Sequence, residues 1–142
     1  MDSNVVVKLT IKEPGSEDAK ETLAGMLRRG VTLYTTEVAL PEGLNALWKH
    51  ATIHGDISEA EYREAVSSLA RLVGGLKTIP TPEIAEESAE VALREKVLVY
   101  DALYITAAKR LGGTLVTADV KLQRLASKTI DTRLIALKEA NR

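Results

Sequence analysis

Apolar and polar positions follow two periods along the chain, one helical and one extended, and caps and glycines mark the breaks. SEDAKETLAGMLRRG (16–30) opens on Ser16, places acids in its first turn and closes on Arg28-Arg29-Gly30, which predicts a helix capped by Ser16. VTLYTT (31–36) alternates β-branched or aromatic residues with others and predicts a short strand. ALPEGLNALWKHATIH (39–54) sets Leu40, Leu44, Leu47 and Trp48 at helical spacing, with Pro41 tolerated in the first turn. SEAEYREAVSSLARLVGG (58–75) begins with the capping box Ser58–Glu61 and stops at Gly74-Gly75. LKTIP (76–80) reads as a second strand, and TPEIAEESAEVALREK (81–96) as a helix with Thr81 as cap and Pro82 at its first position. YDALYITAAKRLGG (100–113) predicts a further amphipathic helix, TLVT (114–117) a strand, DVKLQRLASK (119–128) a short helix and TRLIAL (132–137) a last strand. NVVVKLTI (4–11) is a strand by propensity.

Short β-rich runs alternating with helices point to parallel βαβ units and a three-layer α/β domain. No repeat, low-complexity segment or linker interrupts it, so residues 1–142 read as one domain. In such open sheets a ligand sits outside the carboxyl ends of the strands, and Asp119 lies just beyond TLVT.

Composition removes several chemistries. With 45% hydrophobic and 27% charged residues the chain is an ordinary globular sequence, long enough for a core without staples. It has no cysteine, which excludes disulfides, thiolate metal sites and a cysteine nucleophile and fits a cytoplasmic setting. No apolar stretch reaches membrane-spanning length, and MDSNVVVKLT lacks the marks of a signal peptide. The formal net charge is −1, so contact with nucleic acid must come through a local basic patch or metal ions.

Four acids then stand out. Asp119 alone reads as a helix N-cap, a role compatible with facing a cleft. Asp101 sits near the start of a helix among Ala102, Ile105, Ala107 and Ala108, where an acid needs a cation or several donors, or else answers to the helix dipole. Glu42 lies in the first turn of an apolar helix, with Asn45 able to share its face, and Asp2 belongs to a cap-like Asp-Ser-Asn cluster. Each acid precedes an apolar element, so all four can lie at one edge of the domain. Carboxylates converging without cations repel each other, whereas Mg²⁺ or Mn²⁺, which prefer oxygen ligands, turn repulsion into attraction. Such an ion eases deprotonation of a water and stabilises a leaving oxygen at phosphorus.

The blocks MDSNVVVKL, ALPEGLNALWKH and VYDALYITAAKRLGGTLVTADVKL, in that order, resemble those of PIN-domain proteins, nearest the VapC-type toxin group of prokaryotic ribonucleases. The resemblance covers nearly the whole chain, and its most specific part is YDALYITAA…LVTAD. It implies a Rossmann-like three-layer α/β/α sandwich with a mainly parallel central sheet. It also implies a helix, not a strand, over NVVVKLTI. Asp2, Glu42, Asp101 and Asp119 match the family's four acids, which hold Mg²⁺ or Mn²⁺ for RNA hydrolysis. Ser3 or Asn4 and Thr117 match the polar positions that orient carboxylates or waters. The resemblance further implies a toxin paired with a small antitoxin protein, and a homodimer.

One departure matters. In the family a buried strand precedes the first acid, whereas here only Met1 precedes Asp2. Either residues before Met1 are missing from the sequence or the domain lacks a central strand and Asp2 sits on a frayed terminus. The second case favours an inactive PIN-like scaffold that binds RNA or a protein partner. A phospho-acceptor domain with an acidic Mg²⁺ pocket is a third reading, but no suitably placed lysine can be assigned. His50 and His54 have a spacing that can hold zinc, yet lack a third ligand nearby and read as a polar helix face. Trp48 reads as core or interface, while Tyr100 and Tyr104 flank the packing around Asp101. Among scattered basic residues, Lys8, Lys49 and Lys121 lie nearest the acids and are the candidate phosphate contacts.

Overall fold

The computed structural model describes residues 1–136. Helices dominate: α1 (Ser3–Lys8), α2 (Ser16–Arg28), α3 (Ala39–Lys49), α4 (Glu59–Gly75), α5 (Thr81–Glu95), α6 (Val99–Leu111) and α7 (Val120–Ala126). The strands are short: β1 (Tyr34–Thr36), β2 (Lys77–Ile79), β3 (Leu115–Thr117) and β4 (Thr132–Leu134). The last strand is shorter than the 132–137 expected from sequence, and Leu137 lies outside the described residues.

All strand pairing is parallel, in two separate pairs. β1 runs beside β2 with Tyr34 opposite Lys77 and Thr36 opposite Ile79; β3 runs beside β4 with Leu115 opposite Thr132 and Thr117 opposite Leu134. Among the described residues the two halves of the expected central sheet are therefore joined through Met1 and Asp2, which stand between β1 and β3. The Met1 amine donates to the Tyr34 carbonyl at 3.1 Å and the Asp2 amide to the Val116 carbonyl at 3.1 Å. The Thr35 hydroxyl donates to the Met1 carbonyl at 2.9 Å. Asp2 is thus not on a frayed end: it is 2% exposed.

The valine run folds against its propensity. Asp2 caps α1 by accepting from the Val5 amide at 3.0 Å, and Val5, Val6 and Val7 are all buried. Val5 packs with α2, Val116 and Ile135, while Val6 and Val7 pack with Leu47, Ala65 and Leu69 of α3 and α4. Two apolar partners reward the helix, and burial of that kind outweighs the fractions of a kcal/mol, about 0.7 at most per residue, that separate helix propensities. Close approach of α3 to α4 depends on Gly43, where an added Cβ would stand 2.9 Å from Leu69 Cδ2.

Several boundaries shift by a residue or a turn. Ser16 is the first residue of α2, not its cap; its hydroxyl accepts from the Glu13 amide and donates to the Ile11 carbonyl, closing the preceding turn instead. Thr81 is likewise inside α5, and its amide is capped by the Glu37 carboxylate at 2.6 Å. The capping box Ser58–Glu61 forms as its spacing predicts. The helix expected over 39–54 changes pitch at His50, where a π-helical turn, His50–His54, ends at Gly55 with φ 63°.

Candidate metal centre

The four acids all stand at helix N-termini. Asp2 caps α1, and Asp119 caps α7 by accepting from the Lys121 and Leu122 amides at 2.7 and 3.1 Å through one oxygen, Oδ1. Glu42 lies in the first turn of α3 and Asp101 in the first turn of α6. Two of these helices follow directly from strand ends: β1 feeds α3 and β3 feeds α7. The bland reading of the acids as caps and first-turn residues is therefore correct for each, and it is also what gathers them. The partial positive charge of a helix start offsets part of the cost of placing an acid there.

Thr117, fully buried at the end of β3, ties the first acid to the last. Its hydroxyl donates to Asp2 Oδ2 and accepts from the Asp119 amide at 2.9 Å. On the other side, Tyr104 donates its phenol to Glu42 Oε1 at 2.7 Å. Asp2, Ser3, Asn4, Glu42, Asn45 and Asp101 line one cavity of about 800 Å³, which Tyr100 and Tyr104 also border. Asp119 lies beside the cavity and not among its lining residues, but its charge acts on both Asp2 and Asp101.

The electrostatics are those of an acid cluster short of positive charge. Burial pushes the Asp2 carboxyl up to about 6 against the Thr117 and Val5 hydrogen bonds and the Met1 ammonium, with the Asp119 charge adding to the rise. Asp101 is raised by burial first and then by Asp119 and Glu42. Among the described residues no lysine or arginine forms an ion pair with any of the four acids. The donors are hard oxygens, the set that Mg²⁺ and Mn²⁺ take. Among the described residues no group of three or more His, Asp or Glu side chains is placed so that it could hold a metal ion. Mg²⁺ keeps several waters beside one or two carboxylates, so this looser gathering fits such an ion, and a site of four converging ligand atoms is not what the chemistry requires.

The basic candidates separate. Lys49 is exposed and lines the cavity. Lys121 is exposed and adjoins Asp119 outside the cavity. Lys8 is removed from the set: it is 8% exposed and its ammonium pairs with Glu13 at 2.9 Å. Glu13 also meets His50 Nε2 at 3.3 Å, while His50 Nδ1 meets Asp56 at 2.9 Å. Both ring nitrogens of His50 are thus engaged by carboxylates. The His50–His54 pair is a polar wall of the cavity, with rings 5.3 Å apart. Ser3 is buried beside the Tyr104 phenol and Asn4 is exposed at the cavity edge. Trp48 is 46% exposed.

The Tyr104–Glu42 link went unnoticed in the sequence. Tyr104 stands three residues after Asp101, hence on the same helix face, and that spacing was the available signal.

The sequence pattern of the family described as PIN domain matches residues 1–128. The chain is also 31% identical over 122 residues to Ribonuclease VapC3 of Pyrobaculum aerophilum, a match covering 86% of this chain and 89% of that protein.

Proposed function

The chain belongs to the PIN-domain family, and on that premise we propose that it is an endoribonuclease that uses Mg²⁺ or Mn²⁺ to hydrolyse RNA phosphodiester bonds. The relative's name supports ribonuclease chemistry. The observation that supports the metal assignment is the mutual repulsion among Asp2, Glu42, Asp101 and Asp119, with no lysine or arginine ion-paired to any of them among the described residues. A bound Mg²⁺ or Mn²⁺ eases deprotonation of the attacking water and offsets charge on the phosphate oxygens.

The chain's own residues have the remaining roles. The four acids would hold the ion, and Thr117 fixes Asp2 relative to the Asp119 backbone. Lys49 at the cavity edge contacts phosphate, with Lys121 serving the backbone beyond Asp119. Tyr100, 52% exposed at the cavity rim, offers a ring face to a base. No side chain attacks phosphorus, so no covalent intermediate forms.

The resemblance to the VapC-type toxin group extends this proposal to a toxin restrained by a small antitoxin protein and acting in the cytoplasm. We place a homodimer contact at the corner between α5 and α6, where Leu93, Leu98 and Val99 are 75%, 68% and 50% exposed. The scaffold reading loses its particular argument, because Asp2 is buried and bonded.

The test is cleavage of generic single-stranded RNA with Mn²⁺ and with chelator. Metal-dependent cutting that disappears in Asp101→Asn supports the proposal. RNA left intact by the wild-type chain across several metals and substrates would leave the scaffold instead.

A further inference from the structure

Tyr104 separates two cavities. It lines the acidic one, and it also lines a second, of about 570 Å³, bordered by Met1, Thr35, Thr36 and Val116 between β1 and β3. The ring is 3% exposed. A phenol buried this far needs a partner for its O–H. It has taken Glu42, 62 residues away in the chain, at 2.7 Å.

The direction of that bond is fixed by chemistry. An ionised carboxylate only accepts, so the phenol donates. Burial and the Glu42 charge both hold the proton on Tyr104, with Ser3 and Thr36 close to the same oxygen. Tyr104 is thus a one-way donor aimed at one carboxylate oxygen.

Glu42 needs such a restraint. Asp2 and Asp119 are anchored by backbone amides at their helix starts. The Glu42 carboxylate receives no backbone amide among the described residues; Tyr104 is its hydrogen-bond partner there. Without it a carboxylate on two methylenes at a helix surface would sample several rotamers around the cavity.

We propose that Tyr104 is a positioning residue: its phenol holds Glu42 Oε1 so that Oε2 is presented to a divalent cation in the acidic cavity. This rests on the reading of that cavity as a cation site, and not on cleavage of RNA. Groups that orient metal-binding side chains in this way are worth about 10- to 100-fold in metal affinity.

The experiment is Mn²⁺ titration of the purified chain by calorimetry, without RNA, on the wild type, Tyr104→Phe, Glu42→Gln and the double variant. Tyr104→Phe keeps the ring and removes only the O–H. Mn²⁺ affinity is expected to fall about tenfold in Tyr104→Phe. It should fall at least as far in Glu42→Gln, and the double variant should match Glu42→Gln. A merely structural tyrosine would instead lower the melting temperature and leave Mn²⁺ affinity coupled to nothing at position 42. Should Tyr104→Phe not fold, Glu42→Asp serves: its shorter arm keeps the charge and leaves the phenol, and the same loss of affinity is expected.

Wild-type affinity in Tyr104→Phe or in Glu42→Asp overturns the proposal while leaving the cation site standing if Glu42→Gln is weakened. Absence of Mn²⁺ binding to the wild type overturns both. Saturable Mn²⁺ binding with RNA left intact removes the ribonuclease and not this assignment.

Discussion

The first and last acids along the chain, the outer pair, and the two between them, the inner pair, are held in opposite ways. Asp2 and Asp119 are caps, each bonded to backbone amides at the start of its helix, and Thr117 spans the gap between them. Glu42 and Asp101 lie inside the first turn, and neither carboxylate accepts from a backbone amide among the described residues. On the proposed reading the outer pair would serve folding and chemistry together. The inner pair would serve chemistry first, and at Asp101 burial and two neighbouring acids oppose the charge. That contrast sets apart residues whose loss should weaken the fold from residues whose loss should mainly silence the site.

The largest effect expected from the contrast is in activity. Asp101→Asn keeps shape and removes a charge that burial and two neighbouring acids already disfavour. RNA cleavage should fall by about a hundredfold or more, roughly the several kcal/mol that a metal's charge supplies at phosphorus. The melting temperature should stay level or rise. Asp2→Ala should lose activity as completely and lose stability as well, because a cap and a buried hydroxyl partner go with it. Equal loss of stability in the two variants would erase the distinction between outer and inner acids.

A second effect reads the buried charge of Asp2 directly. Its folded carboxyl titrates near 6, above the unfolded value of 3.8. Below the lower value both states are protonated and Asp2 costs nothing. Between the two the unfolded state ionises while the folded state keeps its proton, so stability falls as pH rises, levelling off above the folded value. The cost at neutral pH without metal is on the order of 3 kcal/mol. Asp101, raised in the same direction, adds to the slope. Melting curves for wild type and Asp2→Asn at pH 4 and 7 isolate the Asp2 share, since the difference between them should appear at the higher pH. Added Mn²⁺ should stabilise the wild type more at pH 7 than at pH 4. A wild type and Asp2→Asn that track each other across this window would remove the buried charge from the account.

The same contrast explains what the sequence reveals. The helix-start acids were visible because caps and first-turn acids leave local signatures, as at Ser58–Glu61 and Asp119. The alternation of strands and helices likewise pointed to an α/β fold with parallel pairing, and the pairs are parallel. Long-range partners left no such trace. Ser16 and Thr81 look like caps, but their helices begin one residue earlier and hold them through Glu13, Ile11 and Glu37. Lys8 looked free for phosphate, yet Glu13 and burial claim it. The valines of α1 form a helix only because two separate apolar clusters receive them. The spacing from Asp101 sets Tyr104 on the acid's helix face, but its partner Glu42, 62 residues away, leaves no mark in that period.

Thr117 links the outer acids, so its removal should act on both. Thr117→Val keeps the volume and β-branching but deprives Asp2 Oδ2 of a donor and the Asp119 amide of an acceptor. Unpaired buried groups of this kind cost about 1–3 kcal/mol. Denaturant unfolding should register that loss, with Mn²⁺ affinity reduced in parallel because Asp2 loses its orientation. A variant as stable as the wild type would mean that the hydroxyl link is dispensable and that caps alone place the outer acids.

The finest distinction lies within Asp119, where cap and charge can be pulled apart. Asp119 Oδ1 takes both α7 amides, which leaves Oδ2 without a hydrogen bond among the described residues. Asparagine caps a helix about as well as aspartate, so Asp119→Asn should change stability by only a few tenths of a kcal/mol, whereas Asp119→Ala should lose about 1 kcal/mol. Both should cut RNA poorly, because neither presents a charged oxygen to the cation. The two variants therefore ought to differ in unfolding and agree in cleavage. If Asp119→Asn instead retains near wild-type cleavage, the charge at this position is not a ligand, and the outer acid at the start of α7 is a cap and nothing more.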